Sequence, residues 1–136
     1  MTARYDGLVT GRARFTADIA TRSPAQEPTD TAVLVFVRST EAHARILSID
    51  TEAARQLPGV LAVLTADDLD VEAIWEITIV PEVLAQPPLA SRVVRYVGER
   101  IAAVVAADLA TAIDAAEAVV VDLDPLPVVA DPLQAG

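Results

Sequence analysis

Few residues in this sequence have types and spacings that could do chemistry. His43 is the only histidine, and it has no Ser or Cys nucleophile motif beside it, so a loop or interface role fits it better than general-base catalysis. Asp67, Asp68, Asp70 and Glu72 form an acidic group that invites a Ca²⁺ reading. They lack the alternating ligand spacing around a central glycine, and a solvated face is the simpler account. Asp122 and Asp124 are two apart, hence on one face of a strand, but Pro125 follows and points to a solvent-facing strand exit. Val97-Gly98-Glu99 is neither a dinucleotide fingerprint nor a phosphate loop, because no glycine-rich turn joins a strand to a helix there. Gly98 reads as a bulge or tight bend, and Glu99 with Arg100 as an exposed pair of little energetic weight. Cysteine is absent, which removes disulfides, thiolate metal sites and cysteine nucleophiles together. None of these residues assembles into a defensible active site.

The elements that must hold them are easier to read. Ile101–Ala107 is a continuous apolar run, the pattern of a strand covered on both faces. Asp108 is placed to cap a helix, along which Leu109, Ala112, Ile113 and Ala116 make an apolar stripe. Val119–Val121 begin another strand, stopped by Pro125 and Pro127. Such a strand-helix-strand unit most simply makes a right-handed crossover between parallel strands. Upstream, strands are expected at 32–38, 45–49 and 60–64, with a weaker one at 12–18. Asp50 is positioned to cap a helix running to about Leu57, which Pro58-Gly59 ends. Thr65-Ala-Asp-Asp68 resembles a capping box opening a single helical turn. The segments 21–31 and 70–92 are broken by prolines and read as loop or irregular structure.

At 136 residues and 53% hydrophobic content the chain has enough material for one core, and a single domain over residues 1–136 is expected. Its net charge is −10, and all ten basic residues are Arg. An acidic surface with few aromatic side chains argues against nucleic acid as a partner. The apolar runs fall well short of the ~18 residues of a membrane span, and no basic and apolar leader pattern follows Met1. A cytoplasmic protein without a membrane partner is the expectation.

Several stretches resemble the α/β hammerhead domain that begins the large, molybdenum-binding chain of the xanthine dehydrogenase, aldehyde oxidase and carbon monoxide dehydrogenase family. They are Val9–Ile19, Phe36–Asp50, Leu57–Leu69, Pro88–Ala90, Arg95–Glu99, Ala102–Ala106, Ala115–Glu117 and Val121–Pro127. Their order and spacing match from about residue 4 to residue 132. The resemblance implies an α+β fold: a small mixed sheet with two main helices and the strand-helix-strand unit. It also implies a place in an oxidoreductase that hydroxylates carbon centres, or oxidises carbon monoxide, at a molybdopterin cofactor. In that family electrons pass to iron–sulfur clusters and FAD on other domains or chains. The family's pterin-binding motifs and catalytic glutamate lie beyond this domain, so no catalytic, cofactor-binding or metal-binding residue carries over. The implied role is a non-catalytic domain or split subunit, with the molybdopterin-binding chain and the iron–sulfur and FAD subunits as partners. A free-standing interaction module is the alternative. The polar loops at the strand ends are the expected partner contacts: Arg38, His43 and Arg45 in one, Gly98, Glu99 and Arg100 in the other. Thr40 and Glu41 stand where many relatives have proline and a second histidine, and Arg100 where the family usually has proline.

Overall fold

The computed structural model describes residues 7–13, 31–71, 86–131 and 133. The weak strand expected at 12–18, the loop at 21–31 and the irregular stretch at 70–92, with Glu72, lie wholly or largely outside the described residues. The chain divides into two compact units, Met1–Thr31 and Ala32–Gly136. In the first, residues 7–9 make one helical turn, closed where the Arg12 and Ala13 N–H groups both donate to the Gly7 carbonyl (2.7 and 2.8 Å).

The second unit runs β1 (Val33–Arg38), β2 (Ala44–Asp50), α1 (Glu52–Arg55), β3 (Val60–Leu64), a 3₁₀ turn (Ala66–Asp68), β4 (Val93–Val94), β5 (Arg100–Ala106), α2 (Leu109–Ala118) and β6 (Val120–Pro125). Two three-stranded sheets form, ordered β1-β5-β3 and β4-β2-β6. The apolar run at 101–106 is the middle strand of the first, which is why it is buried along almost its whole length.

Every pairing between these strands is antiparallel. The parallel crossover and the mixed sheet expected from the strand-helix-strand pattern are therefore corrected. β5 and β6 lie in different sheets, and α2 carries the chain from one to the other. The pattern β-α-β specifies the elements but not the partners, and the longest strands nearby, β1 for β5 and β2 for β6, offer antiparallel edges.

Helix α2 begins as its sequence dictates. The Asp108 carboxylate accepts from the Thr111 N–H (2.9 Å) and from the Thr111 hydroxyl (2.9 Å), satisfying an orphan first-turn donor. Its buried face is one step round from the expected stripe. Ala112 and Ala115 are fully buried, with Ala116 and Val119 beside them, whereas Leu109 and Ile113 are exposed. The alanines let the helix lie close on Val63 and Val104 of the first sheet, and on Ala54 of α1.

Asp50 is the last residue of β2, and its carboxylate accepts from the Glu52 N–H (3.0 Å). It thus does the expected capping from one position before the formal cap, Thr51. The helix itself stops at Arg55, short of Leu57. Gly59 takes a φ of +88°, and a Cβ there would press on Thr111 at 3.3 Å, so glycine lets this turn sit against α2.

A second core lies between the sheets, built from Ala44, Ala90, Val94 and Ile101. Ile49 and Val121 pack against both cores and form the seam. In β2 the register shifts between Ile46 and Ser48, leaving Leu47 outside the ladder and 57% exposed. That irregularity lets Ile46 and Ile49, three apart, both face inward.

Candidate partner-contact loops

The turn between β1 and β2 and the turn between β4 and β5, distant in sequence, are hydrogen-bonded into one tip. The Ser39 N–H donates to the Glu99 carbonyl (2.8 Å), and the Gly98 N–H donates to the Ser39 carbonyl (2.8 Å). Arg38 adds a third tie, its Nη1 donating to the Gly98 carbonyl at 2.9 Å. Within the first turn, the Ser39 hydroxyl donates to the Glu41 carbonyl (2.8 Å), and the Glu41 N–H donates back to it (3.0 Å). Gly98 has a φ of +88°, the left-handed conformation its type permits, so the tight bend expected there is present.

Glu99 departs from expectation. It is 5% exposed and does not pair with Arg100. Its carboxylate accepts from the Arg95 N–H and sits 3.4 Å from the Arg95 guanidinium. The chain reverses at Gly98, and this swings the side chain back under its own loop. A buried carboxylate needs such partners, since an uncompensated one would carry a heavy desolvation cost. Ser39 and Glu99 are the buried polar residues among those described, and both belong to the tip.

Arg38 and Arg100 are paired across β1 and β5. Continuing the register from Phe36↔Ala103 and Val37↔Ala102 would set Arg38 against Ile101. Instead the ladder slips by one residue, Ile101 stays in the second core, and Arg100 turns onto the face that carries Phe36 and Arg38. Both guanidinium carbons lie over the Phe36 ring, 5.5 Å (Arg38) and 5.4 Å (Arg100) from its centroid.

His43 is half-buried and reaches the tail beyond β6. Its Nδ1 lies 2.7 Å from the Pro127 carbonyl, and because a carbonyl only accepts, Nδ1 carries the proton. The Leu126 N–H donates back to the His43 carbonyl at 2.9 Å. These bonds pin the β1–β2 turn to the tail, as the loop reading of this histidine anticipates. Arg45 faces Asp124 across β2 and β6 at 3.9 Å, with both side chains at least half exposed, a weak surface pair. Asp122 is exposed as well.

The acidic group resolves differently. Asp68 accepts from the Thr65 N–H (2.7 Å) and hydroxyl (2.9 Å), which hold its carboxyl below the usual carboxylate range, and it lies 3.6 Å from Arg55. It is a capping residue, while Asp67 and Asp70 face solvent. Among the described residues no three His, Asp or Glu side chains gather into a cation-binding group, and the chain has no cysteine. The described residues therefore offer no clustered ligand set, and no thiolate for an iron–sulfur cluster.

The tip gathers charged side chains on hydrogen-bonded turns. It presents cations and a rigid pair of turns, with no nucleophile–base pair among the described residues. Sequence reasoning placed these loops and named Arg38, His43, Arg45, Gly98, Glu99 and Arg100, but gave no role to Phe36, Ser39 or Arg95. Alternation along β1 does place residues 36 and 38 on one face, but nothing local announces the slip that brings Arg100 to join them.

Two small antiparallel sheets, with helix α2 carrying the chain from one to the other, define an α/β domain. The chain belongs to the family described as "Aldehyde oxidase and xanthine dehydrogenase, a/b hammerhead domain", whose sequence model matches residues 10–127. It is 50% identical over 101 residues to the carbon monoxide dehydrogenase large chain of Afipia carboxidovorans, covering 74% of this chain and 12% of that protein. With the xanthine dehydrogenase molybdenum-binding subunit of Escherichia coli O157:H7 it shares 37% identity over 137 residues, 95% of this chain and 17% of that protein. The crystal structure of the Cu,Mo-CO dehydrogenase in its carbon monoxide reduced state superposes with a TM-score of 0.77 at 38% identity, covering 98% of this chain and 16% of that one. The aldehyde oxidoreductase of Desulfovibrio gigas gives 0.75 at 35% identity, covering 89% and 14%. The family and the hammerhead fold expected from the sequence are thus both met, and this chain spans less than a fifth of the length of each of these relatives.

Proposed function

We propose that this chain is the non-catalytic hammerhead part of a molybdenum-dependent hydroxylase and supports assembly around the molybdopterin-binding region. Residues 1–136 act in this reading as one domain. The molybdopterin, iron–sulfur and FAD centres reside on other parts of the assembly, which works in the cytoplasm. The cofactor supplies the redox chemistry when bound there. This chain's residues supply a contact surface: Arg38, His43, Arg45, Gly98 and Arg100 lie in or beside the two turns, and the buried Glu99 braces them from beneath.

The observation that carries the reading is the tip itself. Ser39, Gly98 and Glu99 lock two turns together by backbone hydrogen bonds, and Arg38 and Arg100 are left facing outward in a chain of net charge −10. Loops held on a rigid sheet are where contacts with another component are commonly placed. The relatives' names support the same reading, since one is a molybdenum-binding subunit and another is subunit gamma of the 6-hydroxypseudooxynicotine dehydrogenase complex of Paenarthrobacter nicotinovorans.

The test is purification of a tagged copy from the native host under mild salt, with mass analysis of whatever accompanies it. A stable assembly containing a molybdenum-binding region is expected, with an interface of at least about 1,000 Å². A chain that emerges alone, neither joined nor bound to such a region, overturns the proposal in favour of a free-standing module.

A further inference from the structure

We infer that Arg38 and Arg100, stacked together on Phe36, form a receptor for a carboxylate from an acidic segment of the partner protein surface. The inference rests on the assembly reading above and names the chemistry of its contact. Like charges placed directly opposite each other on neighbouring strands disfavour the sheet unless something offsets them. Arg38 and Arg100 occupy that arrangement, and the one-residue slip in the ladder is what creates it.

Neither guanidinium has an ion pair among the described residues. Arg38 spends one N–H on the Gly98 carbonyl, and Arg100 has the Phe36 ring as its contact. Among the other described arginines, Arg45 has Asp124, Arg55 has Asp68 and Arg95 has Glu99, while Arg12 and Arg92 also have no ion pair; what sets Arg38 and Arg100 apart is their shared place over Phe36. In a chain with twenty acidic residues, two adjacent cations without a carboxylate form an unmet site of opposite sign. Stacking on Phe36 fixes the planar forks and lowers the ordering cost of a bidentate bond to a carboxylate.

The surroundings favour a protein carboxylate over a solvated ion. Phe36 is half-buried, and Leu34, on the same face of β1, is 49% exposed, so an apolar strip runs beside the cations. An acidic side chain flanked by apolar neighbours matches both features. Charge complementarity between the pair and such a segment would also guide encounter.

The experiment uses the assembly purified from its native host and compares the chain with Arg100→Gln, Arg38→Gln, Arg100→Lys and the charge-matched control Arg92→Gln, each checked for folding by circular dichroism and melting temperature. Arg92 is exposed and its side chain is outside the tip network. The expected result is association weakened roughly tenfold or more by Arg100→Gln and Arg38→Gln, and near wild type for Arg92→Gln. Arg100→Lys should be intermediate, because it keeps the charge and loses the fork. Added salt should weaken the wild-type assembly more than the Arg38→Gln/Arg100→Gln double variant. Equal association by all folded variants, with the wild-type assembly intact, overturns this inference and leaves the assembly reading standing. Absence of any wild-type assembly overturns both.

Discussion

At the scale of single residues, Glu99 matters about as much as Gly98, although the sequence alone makes it a surface carboxylate. Gly98 holds a φ of +88°, yet a Cβ there would meet nothing within 4 Å, so substitution is penalised by backbone conformation alone. Gly98→Val should lose about 1–3 kcal/mol, and Gly98→Asn less, because asparagine tolerates the left-handed region. Glu99→Ala, read from sequence as a harmless surface change, should lose a comparable amount, about 1–3 kcal/mol. It strips the Arg95 N–H of its acceptor and empties the space that the buried Glu99 side chain fills. Urea denaturation of the three variants checks the ranking; a Glu99→Ala loss below about 0.5 kcal/mol would mean the carboxylate merely rests there. The capping carboxylates give a pH prediction. The Thr111 N–H, then the Thr111 hydroxyl, hold the Asp108 carboxyl below its usual 3.8, and Thr65 does the same for Asp68. A depressed folded-state value means the stabilisation is complete above about pH 4 and is lost as pH falls through the folded values. Melting temperature followed from pH 6 down to pH 2 should fall on that limb, and less steeply in Asp108→Asn, which keeps an acceptor that does not titrate. An unchanged limb in that variant would show that its cap contributes nothing.

At the scale of elements, α2 decides how the first core is packed. Its buried face is alanine because the helix lies against β1, β3, β5 and α1 together and leaves room for little more than a methyl group. Ala115→Leu should overpack this face and cost about 1–3 kcal/mol, whereas Ile113→Ala should stay within about ±0.5 kcal/mol, since Ile113 is 42% exposed. The apolar stripe inferred from periodicity predicts the reverse for Ile113, a core loss of about 2–5 kcal/mol. Thermal unfolding of both variants separates the two. The reason for the one-step rotation is that small residues satisfy a close helix–sheet approach better than large ones do, and hydrophobicity ranking weighs Leu109 and Ile113 above the alanines.

At the scale of the whole molecule, the two sheets share a seam at Ile49 and Val121, and the tip is set where β1, β4 and β5 meet at one end. Everything polar and buried among the described residues lies in that tip, which ties its integrity to both sheets. The purified chain should carry no stoichiometric molybdenum, because its described residues gather no ligand group and it has no cysteine. Elemental analysis after native purification of the chain free of partners is the check, and a near-equimolar metal content would relocate the cofactor. No helix among the described residues is long and apolar enough to cross a membrane.

The elements of this protein were legible in its sequence because their signals are local. The unbroken run at 101–106 marks a strand buried on both faces, Asp108 starts a helix by accepting from its first turn, Pro125 and Pro127 close the last strand, and Thr65 with Asp68 shapes a single turn. The ordered set of short motifs was enough to reveal the family. Tertiary structure alone decided what depends on partners far along the chain. Antiparallel pairing of β5 with β1 and β3, rather than parallel pairing with β6, depends on which strand edges meet in space, far apart along the chain. The slip beside Ile101, which moves Arg100 onto Phe36, follows from the competition between keeping Ile101 in the second core and continuing the ladder. Burial of Glu99 depends on a turn that brings residues 39 and 98 within hydrogen-bonding reach, and no window of sequence contains both.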